Sequence, residues 1–162
     1  MIVVNEEIIE KYRREFNEKY KPVMAENTNT VKGSSESDGG LIVIVTTFRG
    51  LYPVENAKVN VFTGIIENPN IVDTDTTGLS GKTKKFVLKT QDKSLSEKAG
   101  ENKTPFTTYN ISVNADGYVE QVNMDIPVFE GITTLQKVDL TSKGAYIGNG
   151  PIIVYERPGY NL

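Results

Sequence analysis

Two aspartates one residue apart have the clearest capacity for chemistry in this sequence. Asp73 and Asp75 lie in the run Asp73-Thr74-Asp75-Thr76-Thr77-Gly78, which has the acidic spacing that opens a calcium-binding loop. Such a loop also needs a ligand at its fifth position and a bidentate glutamate at its end, and these positions hold Thr77 and Lys84. Asp73 and Asp75 are therefore predicted to form a weak calcium site or, alternatively, to shape a turn by binding nearby backbone N–H groups.

A second segment, Gly81-Lys82-Thr83, matches the end of a phosphate-binding loop. That motif requires another glycine at the position of Thr76 and a helix directly after the threonine. The sequence after Lys84 is of β type instead. The segment therefore predicts a turn between two strands and no nucleotide site.

Composition removes most other catalytic groups. The 162 residues include no His and no Cys, so a Ser-His-Asp triad, a thiolate nucleophile, a histidine or cysteine metal site and a disulfide cannot form. The acidic residues in or beside predicted strands have no partner that the sequence can assign. We therefore expect no enzyme, no catalytic residue and no cofactor.

Residues 1–25 are predicted to form an N-terminal extension with an amphipathic helix, and residues 26–40 a linker rich in Gly and Ser. Apolar side chains recur along one face of the helix, and Pro22 ends it. This face packs either on the protein's own sandwich or on another subunit, and the sequence leaves both open. The residues of the face are Ile8, Tyr12, Phe16 and Tyr20.

Residues 41–143 have the pattern of an all-β domain. Runs of Val, Ile, Thr, Tyr and Phe alternate with turn signals such as Asp116-Gly117 and Glu130-Gly131. Short strands at this spacing are typical of a β-sandwich. The predicted strands are 41–47, 57–62, 71–75, 84–90, 107–116, 119–126 and 133–141.

Residues 144–162 are predicted to form a C-terminal extension with one additional strand. Ile152, Val154 and Tyr155 lie in a β-prone run that follows Pro151, and a strand start tolerates the missing N–H of proline. The strand either completes an edge of its own sandwich or pairs with a neighbouring subunit. In both cases we expect Tyr155 and Tyr160 to anchor the contact.

The strand and turn motifs together resemble a known family. The motifs are Pro53-Val54-Glu55-Asn56-Ala57-Lys58-Val59, Thr74-Asp75-Thr76-Thr77-Gly78, Tyr109–Tyr118 and Val128-Phe129-Glu130-Gly131. They resemble the carboxypeptidase-regulatory-like, transthyretin-like β-sandwich, and most closely the module of clostridial spore cortex-lytic and peptidoglycan-binding proteins. The resemblance covers residues 40–143. It implies a seven-stranded transthyretin-like or immunoglobulin-like sandwich that acts as a rigid spacer or adhesive domain and is generally non-catalytic.

Two functions follow as hypotheses. The first is a non-catalytic structural subunit of an extracellular multimeric particle, such as a phage-tail-like particle, a spore appendage or a coat, whose terminal extensions contact other copies or other subunits. The alternative is an accessory module that binds peptidoglycan or another carbohydrate of the spore or cell wall. The net charge of −3 argues against a nucleic-acid partner, and no apolar run is long enough to insert into a membrane. Without a secretory signal at Met1, we expect the chain to be cytoplasmic before assembly and then to reach the particle or cell surface by another route.

Overall fold

Short runs of alternating apolar residues form the β-strands of this protein, and the strands make two sheets. The computed structural model describes residues 36–92 and 105–156. In these ranges no helix is long and apolar enough to cross a membrane. The strands are β1 (Glu36–Thr47), β2 (Tyr52–Pro53), β3 (Lys58–Ile65), β4 (Asn68–Thr76), β5 (Phe86–Gln91), β6 (Phe106–Asn114), β7 (Gln121–Phe129), β8 (Thr133–Leu140) and β9 (Ile152–Tyr155).

Strand β1 is the central strand of the first sheet. It pairs antiparallel with β5 over Glu36–Leu41 and parallel with β8 over Gly40–Thr47, and β2 pairs with its last two residues. The segment 81–83 lies along β1, on the same edge as β2 and β5 and between them. Its contact with β1 includes the Val45 N–H, which donates to the Gly81 carbonyl at 2.7 Å. The segment that matched part of a phosphate-binding loop is therefore extended, and a strand follows it where that motif needs a helix.

The second sheet has the strand order β4-β3-β6-β7-β9. Its pairs are antiparallel except for β7 and β9, which run parallel. The register of β6 against β7 shifts beside Asp125, which has a φ of 62° and donates its N–H to Asn110 Oδ1 at 3.0 Å. The extra residue reverses which side chains of β7 point to each face of the sheet. Gln121 and Asn123 are therefore on the same face as their cross-strand partners Val113 and Ile111, which belong to the core.

The core lies between the two sheets and is almost entirely aliphatic. Each fully buried Val, Leu, Ile or Phe side chain contributes about 1.5–3 kcal/mol relative to leaving it in water. Hydrogen bonds also join the sheets, since the Thr90 hydroxyl donates to the Val128 carbonyl at 2.7 Å and the Tyr109 hydroxyl to the Lys89 carbonyl at 2.6 Å. The core side chains include Leu41, Val43, Val45, Val59, Val61, Phe86, Leu88, Ile111, Val113, Ile126, Val128, Val138 and Leu140.

Gly39 lets β1 pass directly against the second sheet. A Cβ atom placed there would lie 2.5 Å from the Phe129 carbonyl oxygen and 2.5 Å from Val128 Cγ1. Both atoms belong to β7, so a side chain at this position would push two strands apart. Glycine is favoured at positions where one backbone approaches another this closely.

The structure confirms a mainly β fold with two sheets, and each predicted strand overlaps an observed one. β1 begins at Glu36 and not at Leu41, because its polar first residues pair with β5 and make contacts of their own, such as the Ser37 hydroxyl with Glu130 Oε1 at 2.9 Å. The two-residue strand β2 was not predicted. The predicted N-terminal helix and residues 26–35 lie outside the described residues.

Replacing Gly39 with Ala should lower the free energy of unfolding by about 1–3 kcal/mol, the usual cost of overpacking a core. The comparison variant is Gly144→Ala, because a Cβ at Gly144 meets no atom within 4 Å. Urea unfolding of both variants measures the difference. Equal stability of the two would show that β1 and β7 can move apart freely.

Candidate functional site

The acidic pair predicted as a weak calcium site lies on β4 and faces a lysine. Lys84 Nζ is 3.0 Å from Asp73 Oδ1, and the backbone N–H of Lys84 donates to Asp75 Oδ2 at 2.6 Å. Asp73 Oδ1 also accepts the N–H of Thr74 at 2.7 Å. These contacts join β4 of the second sheet to the segment that precedes β5. Within 36–92 and 105–156, no group of three or more His, Cys, Asp or Glu side chains could hold a metal ion.

The predicted C-terminal strand belongs to the protein's own second sheet. β9 pairs parallel with β7, from Gln121 opposite Ile152 to Met124 opposite Tyr155. Ile152 and Val154 are half-buried, whereas Tyr155 is exposed. The other predicted contact residues lie outside the described residues; they are Ile8, Tyr12, Phe16, Tyr20 and Tyr160.

A carboxylate at the end of β9 connects the two sheets. Glu156 Oε1 accepts the side-chain amide N–H of Asn123 on β7 at 2.8 Å and that of Gln136 on β8 at 2.9 Å. Asn123 Oδ1 in turn accepts from Gln121 Nε2 at 3.0 Å. Asn123 is only 1% exposed, so its amide depends on these partners. No local pattern predicts this contact, because Glu156 is 33 residues from Asn123 and 20 residues from Gln136 along the chain.

The loop between β1 and β2 has an unusual backbone. Phe48, Arg49 and Gly50 have φ angles of 53°, 58° and 82°, a left-handed stretch that residues with side chains rarely adopt. Asp139, near the end of β8, accepts the N–H of Arg49 at 3.0 Å and that of Gly50 at 3.1 Å. The carboxylate therefore stabilises a backbone conformation that would otherwise be strained.

The same loop exposes three large apolar side chains. Phe48, Leu51 and Tyr52 are 68%, 74% and 60% exposed. The rings of Phe48 and Tyr52 meet edge to face, with centroids 6.0 Å apart. We call residues 48–52 the tip. Arg49-Gly50 has the composition of a turn, and the apolar residues on both sides of it are a signal in the sequence that could have indicated this exposed surface.

A cavity of about 240 Å³ opens on the outer face of the second sheet. A register shift between Val61 and Phe62 bends β3, and the following turn brings Ile66 to the same cavity as Glu120, which precedes β7. We call this space the hairpin cavity. It is lined by Asn60, Phe62, Ile66, Pro69, Ile71, Ser112, Glu120 and Val122.

A row of hydrogen bonds crosses the sheet and ends in the hairpin cavity. The Thr74 hydroxyl donates to Asn60 Oδ1 at 3.0 Å, and Asn60 Nδ2 donates to Ser112 Oγ at 3.2 Å. These residues are direct neighbours on β4, β3 and β6. The row therefore orients the Asn60 amide and leaves the proton of the Ser112 hydroxyl for another acceptor.

The carboxyl group of Glu120 is the ionisable group of this site. Desolvation by burial raises its pKa above the ordinary glutamate value of 4.5. Burial penalises the charged form, so the protonated form persists to a higher pH than in water. The cavity thus combines a carboxyl group, an amide and a hydroxyl with apolar walls, which is the usual composition of a small-molecule site.

Comparisons with known proteins assign no family to the chain. No protein-family model matches it, and neither does any curated relative. Among solved structures, mercury-inhibited catechol 1,2-dioxygenase from Acinetobacter sp. ADP1 matches with 10% identity and a TM-score of 0.40, over 78% of this chain and 61% of that chain. The wild-type enzyme from Acinetobacter radioresistens matches with 15% identity and a TM-score of 0.37, over 72% and 58%.

A mutant of the Acinetobacter radioresistens enzyme matches with 16% identity and a TM-score of 0.37, over 92% of this chain and 74% of that chain. This chain spans about three fifths of the length of the first two dioxygenase chains. At this identity and these TM-scores, the likeness assigns neither an activity nor a ligand to the chain.

The comparisons correct two predictions. The resemblance to the carboxypeptidase-regulatory-like family is wrong, because no family model matches and the matching structures are dioxygenases. The prediction that the chain is not an enzyme is contradicted as well, because the matching solved structures are those of an enzyme, although they do not give this chain that enzyme's activity. The first error has a physical reason: a proline before a strand and a glycine in a tight turn are requirements of β-hairpins in general, and they do not identify one family. The second prediction was based on the missing His and Cys side chains, which exclude only the chemistry that needs those groups.

Replacing Glu156 with Ala should lower the free energy of unfolding by about 1–3 kcal/mol, because the buried amide of Asn123 loses its acceptor. Glu55→Ala is the matched control, since Glu55 is exposed in the turn before β3. Chemical denaturation compares the two. A Glu156→Ala protein as stable as the control would mean that Asn123 finds another acceptor.

The raised pKa of Glu120 predicts a pH dependence of stability. The folded protein holds this proton more tightly than the unfolded chain, so stability falls as the pH rises from about 4.5 through the folded-state pKa. Glu120→Gln cannot ionise and should lose this slope, with a higher melting temperature than the wild type at neutral pH. Thermal melts over that pH range test it, with Glu67→Gln in the β3–β4 turn as control. A wild-type slope in Glu120→Gln would contradict the assignment.

Proposed function

We propose that the chain is a structural subunit of a multimeric extracellular particle and that it contacts a second copy of itself through the tip. The observation that carries the proposal is the exposure of Phe48, Leu51 and Tyr52 on a single loop. Contiguous apolar side chains in water mark interaction sites more often than chance. Aromatic residues and arginine, both present in the tip, are also enriched where interfaces gain most of their binding energy.

The backbone of the tip supports this role. Positive φ angles at Phe48 and Arg49 are unfavourable for residues with side chains, and such strain is retained mainly at functional sites. Because Asp139 holds two N–H groups of the loop, the tip keeps one conformation before any partner arrives. A preordered loop loses little conformational entropy on binding, which favours affinity.

Charge favours a second copy as the partner. Arg49 is exposed at the centre of the tip, and the whole chain carries a net charge of −3. On a second copy this guanidinium group can pair with an exposed carboxylate, and such charge complementarity favours association. β9 already pairs within its own sheet, so the tip and not the C-terminal strand is the contact we propose.

The test is self-association of the full chain with and without the tip's apolar side chains. We expect the sedimentation coefficient of the wild type to rise with concentration and that of the Phe48→Ser, Leu51→Ser double variant to stay constant. The melting temperature of the double variant should change little, because exposed side chains contribute little to folding. Sedimentation velocity and thermal melts give both quantities.

Leu79→Ser is the control, since Leu79 is 81% exposed but lies outside the tip. This variant should associate like the wild type. A wild type that stays monomeric at every concentration would overturn the proposal. So would a double variant that associates as strongly as the wild type.

A further inference from the structure

The polar side chains of Asn60 and Ser112, which line the hairpin cavity, are already oriented by hydrogen bonds. Ser112 Oγ accepts from Asn60 Nδ2, and in the described part of the chain its own proton is donated to no protein atom. Asn60 Oδ1 accepts the Thr74 hydroxyl, which determines which way the amide points. Glu120 lies on the rim of the same cavity. A ligand would therefore meet an oriented amide and hydroxyl, with a carboxyl group near them.

The other side chains that line the cavity are apolar and mostly aliphatic. They belong to the bent hairpin, together with Val122 of β7. Phe62 and Val122 are each 2% exposed although both lie outside the main core, so they form a closed floor. An apolar floor beside oriented polar side chains favours a ligand that has a hydroxyl-bearing edge and a C–H face.

The size of the cavity suits about one ring. Its volume is about 240 Å³. A cavity of about 150 Å³ in another protein admits benzene. The hairpin cavity therefore has room for one six-membered ring with substituents.

Charge argues for a neutral ligand. The described residues that line the cavity include no Lys and no Arg, and Glu120 is their single acidic group. A phosphate or carboxylate ligand would find no cation there and would be repelled by the ionised form of Glu120.

We propose that the hairpin cavity binds one uncharged, hydroxylated ring of the monosaccharide type. Its hydroxyl edge faces Ser112, Asn60 and Glu120, and its C–H face lies against the aliphatic side chains. The inference does not depend on the function proposed for the tip, because the two surfaces share no residue.

The experiment titrates the full chain with methyl β-glucopyranoside, methyl β-galactopyranoside and methyl N-acetyl-β-glucosaminide, and follows backbone amide shifts by NMR. We expect at least one sugar to shift the amides of Asn60, Ser112 and Val122 in a saturable manner. Ser112→Ala should weaken that binding by about 2- to 10-fold, the loss of one neutral hydrogen bond. Glu120→Ala should weaken it as well, because Glu120 faces the same edge of the ligand, and provides a second test if Ser112→Ala does not fold.

Thr108→Val is the matched control, because Thr108 is exposed on the same strand as Ser112 but does not line the cavity. The control and the Phe48→Ser, Leu51→Ser variant should bind the sugar like the wild type. The proposal fails if no sugar shifts these amides. It also fails if cyclohexylammonium or inorganic phosphate binds there more tightly than every sugar, or if Thr108→Val loses as much affinity as Ser112→Ala.

Discussion

Strand β1 belongs to two ladders at once, and this double pairing positions the rest of the described fold. Its first half pairs antiparallel with β5, and its second half pairs parallel with β8. Just before the change of partner, the bare backbone of Gly39 lies against the carbonyl of Phe129. Because the sheets approach so closely here, every second residue of β1 from Leu41 to Val45 is fully buried. The two sheets thus share one continuous core.

Carboxylates close the edges of this sandwich where the apolar core ends. Glu156 joins β7 to β8, Asp75 joins β4 to the segment before β5, and Asp139 joins β8 to the loop after β1. Each of them accepts one or two N–H groups from the elements it joins. Among the described residues, the tip and the hairpin cavity are two surfaces with unused binding capacity, one apolar and one mixed.

Local sequence patterns predicted the strands because alternation between apolar and polar residues follows directly from the two faces of a strand. They did not predict β2, whose two residues pair only because the loop of Phe48 and Arg49 reverses the chain. The hairpin cavity could not be predicted from local sequence patterns either. Asn60, Ser112 and Glu120 are brought together by strand register, which depends on bulges that leave no local signature. The same strand and turn patterns occur in many β-sandwiches, and this is why they indicated the wrong family.

The parallel ladder between β1 and β8 also determines when the chain can fold. Thr47 and Leu140, which are hydrogen-bonded in this ladder, are 93 residues apart. At a synthesis rate of roughly 5–20 residues per second, the ribosome needs about 5–20 s to make the residues between them. During that time β1 lacks its parallel partner, and the opposite sheet that covers Leu41, Val43 and Val45 is still incomplete. Contacts of such long range also slow folding after release. The apolar strand that organises the finished sandwich is thus the segment of the nascent chain most in need of protection from aggregation.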